Sequence, residues 1–122
     1  MPYEIVYEDE KKYIRVKTTG ELTLAVLSTI IKKVAVLAKE KQCQFIVNDL
    51  TEAKLTNKLF DIYHLPTIAR NSGIIAVYKR ALVVGNRAKD FAFLETVFLN
   101  QGHLVKVFAT LPEAEEWLIA RE

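Results

Sequence analysis

The chain has 122 residues, with 17 Lys+Arg against 15 Asp+Glu, one Cys and a 51% share of hydrophobic residues. That length supports one ordinary domain, residues 1–122, able to bury about two thirds of its unfolded surface. The lone Cys43 excludes an intrachain disulfide scaffold, plentiful apolar residues exclude disorder, and a formal charge of +2 of mixed sign excludes a dedicated nucleic-acid binder.

The first ten residues are acidic where a secretory signal is basic and then apolar. Runs such as Ile74-Ile75-Ala76-Val77-Tyr78 are far shorter than the roughly 18 residues that span a bilayer. No membrane span and a cytoplasmic location are therefore expected, and a single reduced Cys fits that compartment.

Tyr3, Ile5 and Tyr7 alternate with Glu4, Val6 and Glu8, the period of a strand. After a charged turn from Glu8 to Lys12, Ile14 and Val16 alternate with Tyr13, Arg15 and Lys17. A second strand pairing with the first as a hairpin is predicted. From Thr23, as N-cap, to about Lys41 the period becomes helical, with Leu24, Leu27, Ile30, Ile31, Val34, Leu37 and Ala38 on one face. Val36 falls outside that face. The face reads as packed on a sheet; the alternative reading is that its edge also contacts a second subunit.

Phe45-Ile46-Val47 reads as a buried strand breaking at Asn48-Asp49. Helical spacing returns with Leu55, Leu59, Ile62 and Leu65, capped by Thr56 or Asn57. Pro66 is expected to end or kink that helix, and Asn71-Ser72-Gly73 is a loop signal. Ile74–Tyr78 either packs against the sheet edge or offers an exposed apolar segment to a partner or lipid.

Arg80–Val84 is the next strand, stopping at Gly85-Asn86. Asp90–Gln101 is helical, with Phe91, Leu94, Val97 and Phe98 on one face and Gly102 as its stop. Leu104–Phe108 is the last strand. Thr110-Leu111-Pro112-Glu113 has capping-box spacing and opens a helix carrying Ala114, Trp117 and Leu118. The order β-β-α-β-α-β-α-β-α implies an α/β fold, with a mixed, mostly parallel five-stranded sheet flanked by helices.

In open α/β sheets ligands bind outside the carboxyl ends of strands. Those ends bring forward Asn48, Asp49 and Thr51, then Asn86, Arg87 and Lys89, then Ala109-Thr110. Thr56 and Asn57 complete the set of partner- or ligand-binding candidates. Two of these loops lead into helix N-termini, which favour an anion such as phosphate. The competing reading is that these are turn and cap residues.

Catalytic signatures are missing from the sequence. It has no G-x-G-x-x-G, no Walker A and no G-x-S-x-G. His64 and His103 show no metal-ligand spacing, and no cofactor is implied. His64 can pair with Asp61 three residues earlier. His103 follows Gly102, where a cation would suit the helix end. Cys43, just before a strand, reads as a buried structural thiol. Lys32, Lys33, Lys39 and Lys41 read as the solvated face of the first helix.

Asp61-Ile62-Tyr63-His64-Leu65-Pro66, Ala81–Val84, Phe93–Val97 with Asn100-Gln101-Gly102, and Val105–Phe108 followed by Glu113–Leu118 resemble the SpoIIAA-like group of STAS-related proteins. The element order agrees over the whole length. The resemblance implies a non-enzymatic protein-interaction module. In the anti-sigma-factor antagonists of that group, a loop resembling D-L-S-x-V-x-x-x-D-S-S-G carries a Ser phosphorylated by a partner kinase. Asp49-Leu50-Thr51-Glu52-Ala53 resembles the start of that loop, but Asn57-Lys58-Leu59-Phe60 replaces its Asp-Ser-Ser-Gly. Lys58 takes the phosphoacceptor place, and Thr56 is the nearest hydroxyl and the candidate phosphoacceptor.

Three functional readings follow. The first is a regulatory module that binds a protein partner or dimerises. The second is a small-ligand or lipid-binding domain, suggested by the first helix, by Phe91, Phe93 and Phe98, and by Ile74–Tyr78. The third is a nucleotide- or phosphate-sensing regulator using Asp49, Thr56, Asn86 and Arg87.

Overall fold

The computed structural model describes residues 3–55, 62–75 and 77–120. Its strands are β1 (Tyr3–Glu8), β2 (Tyr13–Leu22), β3 (Phe45–Leu55), β4 (Lys79–Val83) and β5 (Leu104–Phe108). Its helices are α1 (Leu24–Lys41), α2 (Leu65–Ser72), α3 (Ala88–Asn100) and α4 (Leu111–Ile119). The expected α/β order holds throughout. β1 and β2 pair antiparallel, and β2, β3, β4 and β5 run parallel in the spatial order β1-β2-β3-β4-β5.

Because the order is monotonic, every crossover steps the same way. Right-handed crossovers that step one way put their helices on one face. The larger core lies there: Ile14 and Val16 of β2, Ile46 and Leu50 of β3, and Leu82 of β4 meet Ile30 and Val34 of α1 and Phe91 and Leu94 of α3. On the opposite face, among the described residues, α4 covers Tyr13, Val47, Ala81 and Val83 through Ala114 and Leu118.

Local chemistry explains the ends of the elements. Thr23 accepts from the Val26 N–H at 3.2 Å and caps α1. Gln42 leaves that helix in the left-handed conformation, and Val36 is 62% exposed, as its place outside the apolar face requires. Thr110 and Glu113 form the expected capping box of α4. At the other end of α4, Lys79 Nζ donates to the Trp117 and Ala120 carbonyls at 2.7 and 2.9 Å and lies over the Trp117 ring. A cation there offsets the negative end of the helix dipole.

Two local expectations are corrected. β3 does not stop at Asn48-Asp49 but runs to Leu55. Its pairing with β2 is interrupted there, since Lys17 faces Asp49 while Thr19 faces Glu52. Leu50 and Thr51 together oppose Thr18, so the polar residues encode a bulge rather than an end. Pro66 stands at a helical break: Ile62 and Tyr63 are helical, His64 is in a turn, and Pro66 sits in the first turn of α2, where its missing N–H is harmless. Asn71 and Ser72 are helical, with Ser72 bonded back to the Ile68 carbonyl at 2.8 Å, and only Gly73, at φ 110°, leaves the helix. The predicted helical spacing between Leu55 and Leu65 falls mostly outside the described residues.

Ile74 is buried, Ile75 and Val77 are exposed, and Tyr78 is half-buried. That segment is a linker anchored by Ile74, not a strand. Cys43 is buried, and its thiol donates to the Lys12 and Phe45 carbonyls.

α4 is tied to the opening hairpin through one carboxylate. Glu115 Oε2 accepts from the Tyr13 hydroxyl at 2.6 Å and from Lys11 Nζ at 2.8 Å. Lys11 first, and then Tyr13, hold the Glu115 carboxyl below its ordinary range, while burial first raises the Tyr13 phenol. A depressed carboxylate stabilises the fold above its unfolded pKa, and that contribution is lost as the pH falls through the folded value. Tyr13→Phe removes the buried donor and is expected to cost about 1–2 kcal/mol in urea unfolding at neutral pH. An unchanged midpoint would show that the tether contributes nothing.

Candidate functional site

β3 is the longest strand, and β4 pairs with it only as far as Asp49, opposite Val83. Beyond that point the carbonyls of β3 have no neighbouring strand on the β4 side. Arg87, in the turn after β4, takes that place: its Nη1 donates to the Ala53 carbonyl and its Nη2 to the Leu50 carbonyl. A guanidinium can satisfy two acceptors at once because its donors are fixed in one planar fork. The turn that delivers it contains Gly85 at φ 65°, beside the Thr51 methyl.

Asp49 works locally. Its Oδ1 accepts from the Thr51 N–H at 3.1 Å and from the Thr51 hydroxyl at 2.7 Å. This closes the bulge, where an interrupted ladder leaves an N–H to be satisfied. Next to it Glu52 pairs with Lys17 at 3.3 Å.

The fold therefore brings Asp49 and Thr51 of β3 and Arg87 of the turn after β4 to the same stretch of sheet. Asn86 and Lys89 are exposed beside them. Asn48 points the other way, into the space beneath α1. Thr56 and Asn57 lie outside the described residues, as do Lys58 and Asp61, the suggested partner of His64. His64 itself occupies the N-cap position of α2. Because the order of the described strands never reverses, these residues do not sit at a topological switch point.

A second constellation was not foreseen. Between α1 and the sheet lies a cavity of about 80 Å³, partly open to solvent. Ile30 and Val34 of α1, Ile46 of β3, Leu82 of β4 and Phe98 of α3 give it apolar walls. Its polar lining comes from Thr18, Asn48 and Arg80. Arg80 is only 6% exposed. Its guanidinium stands 4.6 Å from the Phe98 ring centroid, and Nη2 donates to His103 Nδ1 at 2.6 Å. Nε has no hydrogen-bond partner among the described residues. None of the ion pairs among those residues involves Arg80. Burial pushes its pKa down to about 10, so it remains a cation at neutral pH.

His103 is 3% exposed and packs edge-on against Phe98. Burial first, and then Arg80 and Arg70, push its pKa down to about 4. It is also hydrogen-bonded to the Pro66 backbone, whose only polar atom is the carbonyl oxygen, so the ring donates there and accepts from Arg80. The expectation of a cation at the end of α3 is thus corrected: two arginines and burial keep the ring neutral. From sequence, Arg80 read as a strand-end charge. Its alternation with Leu82 and Val84, which puts it on the core face, was the available signal.

Glu95 is also structural, because its carboxylate accepts the Val107 N–H of the edge strand at 2.8 Å. Among the described residues no cluster of His, Cys, Asp and Glu could hold a metal ion, and no helix is long and apolar enough to cross a membrane.

The geometry has close counterparts among solved structures. The anti-sigma factor antagonist SpoIIAA in its unphosphorylated form superposes with a TM-score of 0.58 at 11% identity, covering 98% of this chain and 99% of that one. The chain has a STAS/SpoIIAA-like fold. A DUF3478-family protein from Shewanella loihica PV-4, described as having the same fold, gives a TM-score of 0.60 at 18% identity over 95% of this chain and 91% of its own. The phosphorylated form of the Bacillus cell-fate determinant SpoIIAA gives 0.56 at 14%, over 94% and 97%. No family model and no curated protein matches the sequence.

Two measurements check this site. Arg87→Lys keeps the charge but cannot serve both β3 carbonyls in one plane, and is expected to lower stability by about 1–3 kcal/mol. For His103, the unfolded chain binds a proton near pH 6.5 while the folded chain waits until about pH 4. Stability should therefore fall as pH drops through that window, by up to about 3 kcal/mol. His103→Gln should lose this component, so parallel wild-type and variant pH profiles would refute the assignment.

Proposed function

We propose that this chain is a non-catalytic STAS-type regulatory module of bacterial type that acts by binding a protein partner. The observation that carries the reading is the full-length likeness to SpoIIAA, an anti-sigma factor antagonist, which spans nearly every residue of both chains. The surface chemistry supports it. At the carboxyl end of β3 the reactive groups already engage one another: Asp49 holds Thr51, and Arg87 holds two backbone carbonyls. Such a surface offers rigid shape and charge rather than a free acid, base or nucleophile.

The proposed contact surface centres on Asp49, Thr51, Glu52, Asn86 and Lys89, and the sequence adds Thr56 and Asn57 as candidates. Thr56 is the candidate place for a regulatory phosphate, which would add about two negative charges to the chain there. The proposed compartment is the cytoplasm, in keeping with the buried, unpaired Cys43.

The test is capture from the native cell with an affinity-tagged full chain, followed by crosslinking mass spectrometry. A specific protein should crosslink at Asn86–Lys89 or Glu52. The double reversal Glu52→Lys with Lys89→Glu should weaken its binding at least tenfold while leaving the circular dichroism spectrum unchanged. Crosslinks confined to the α4 face, or a strictly monomeric chain that captures nothing, would sink the proposal.

A further inference from the structure

Arg80 poses a physical problem that the partner reading does not address. A guanidinium removed from water loses much of its hydration, and buried charges are normally paired or fully hydrogen-bonded. Here one nitrogen is bonded to a neutral imidazole, a ring face covers the plane, and Nε is buried with no acceptor among the described residues. The side chain lines a cavity whose other walls are almost wholly aliphatic.

We infer that this cavity is a binding site for a short-chain carboxylic acid, its carboxylate on the Arg80 guanidinium and its alkyl tail among Ile30, Val34, Ile46 and Leu82. Three features select that chemistry. The planar fork of Arg matches the two oxygens of a carboxylate. Nη2 is held by His103, and Nε is left without an acceptor among the described residues. The Thr18 hydroxyl and the Asn48 amide belong to the same lining and are the polar groups nearest in kind to a second anchor.

Size sets the tail. An apolar cavity of about 150 Å³ accommodates benzene, so about 80 Å³ suits an acid of roughly three or four carbons. A phosphate monoester would bring a second charge that a single cation among aliphatic walls leaves unbalanced. The same aliphatic walls without Arg80 would favour a neutral hydrocarbon, and the buried charge is what distinguishes the two. His103 acts as a positioning residue: neutral, it accepts from Nη2 and orients the guanidinium without competing for the anion.

The site is tested separately from partner binding, since variants at Arg80 and Val34 leave Glu52 and Lys89 unchanged. Titration of the full chain with butyrate at pH 7, followed through the Arg80 Nε–H resonance, is the direct experiment. Saturable binding with a downfield shift of that resonance is expected, with butyramide and 1-butanol at least tenfold weaker. Arg80→Met should abolish butyrate binding. Val34→Phe, which fills the cavity and retains Arg80, should weaken it at least tenfold, and it decides the matter should Arg80→Met not fold. No saturable shift with any acid from acetate to octanoate, or undiminished binding by Arg80→Met, overturns the inference. Tightest binding by octanoate overturns the short-chain assignment.

Discussion

The handedness of the crossovers governs most of what this molecule can do. β2, β3, β4 and β5 are added in chain order, each one place further along the sheet. A right-handed connection that always steps the same way must keep its helix on the same face. α1, α2 and α3 are therefore crowded together on one side, while the other depends on α4, held by the Thr110 capping box at one end and Lys79 at the other. The unequal layers displace the imperfectly filled space from the strand ends to the interior beneath α1.

The same constraint shapes the carboxyl edge. Among the described residues the strand order never reverses, and Asp49 and Thr51 meet each other while Arg87 meets the β3 backbone. β3 outruns β4 by several residues, and the exposed carbonyls of that overhang are closed by Arg87 from the following turn. A cation that would suit an anion site in isolation is thereby tied to the backbone. The free chemistry is interior: a buried guanidinium, a neutral histidine and an aliphatic void.

Much of the fold is legible in the residues, because its signals are local. The alternation in Tyr3–Glu8, the apolar face of α1 and the Thr110–Glu113 box each report a period or cap that needs only neighbouring residues. The misread elements are those whose meaning depends on a partner strand. Asn48-Asp49-Leu50-Thr51 carries the composition of a strand end, yet β2 continues alongside and converts it into a bulge. Likewise His103 sits where a cation would suit a helix end, but burial and two arginines from other elements set its protonation.

By itself the sequence determined the order of strands and helices, their caps and the apolar faces, and with these the α/β class, because all rest on spacing along the chain. Which polar groups are held by one another and which remain unpartnered was decided only by the tertiary structure. Asp49 and Arg87 look equally available as letters; one is taken by Thr51 and the other by the carbonyls of an overhanging strand. Arg80 looks like any charge beginning a strand, until packing against Phe98 and His103 removes it from water. Burial and hydrogen-bond satisfaction are properties of what surrounds a group, and those surroundings come from residues distant in sequence.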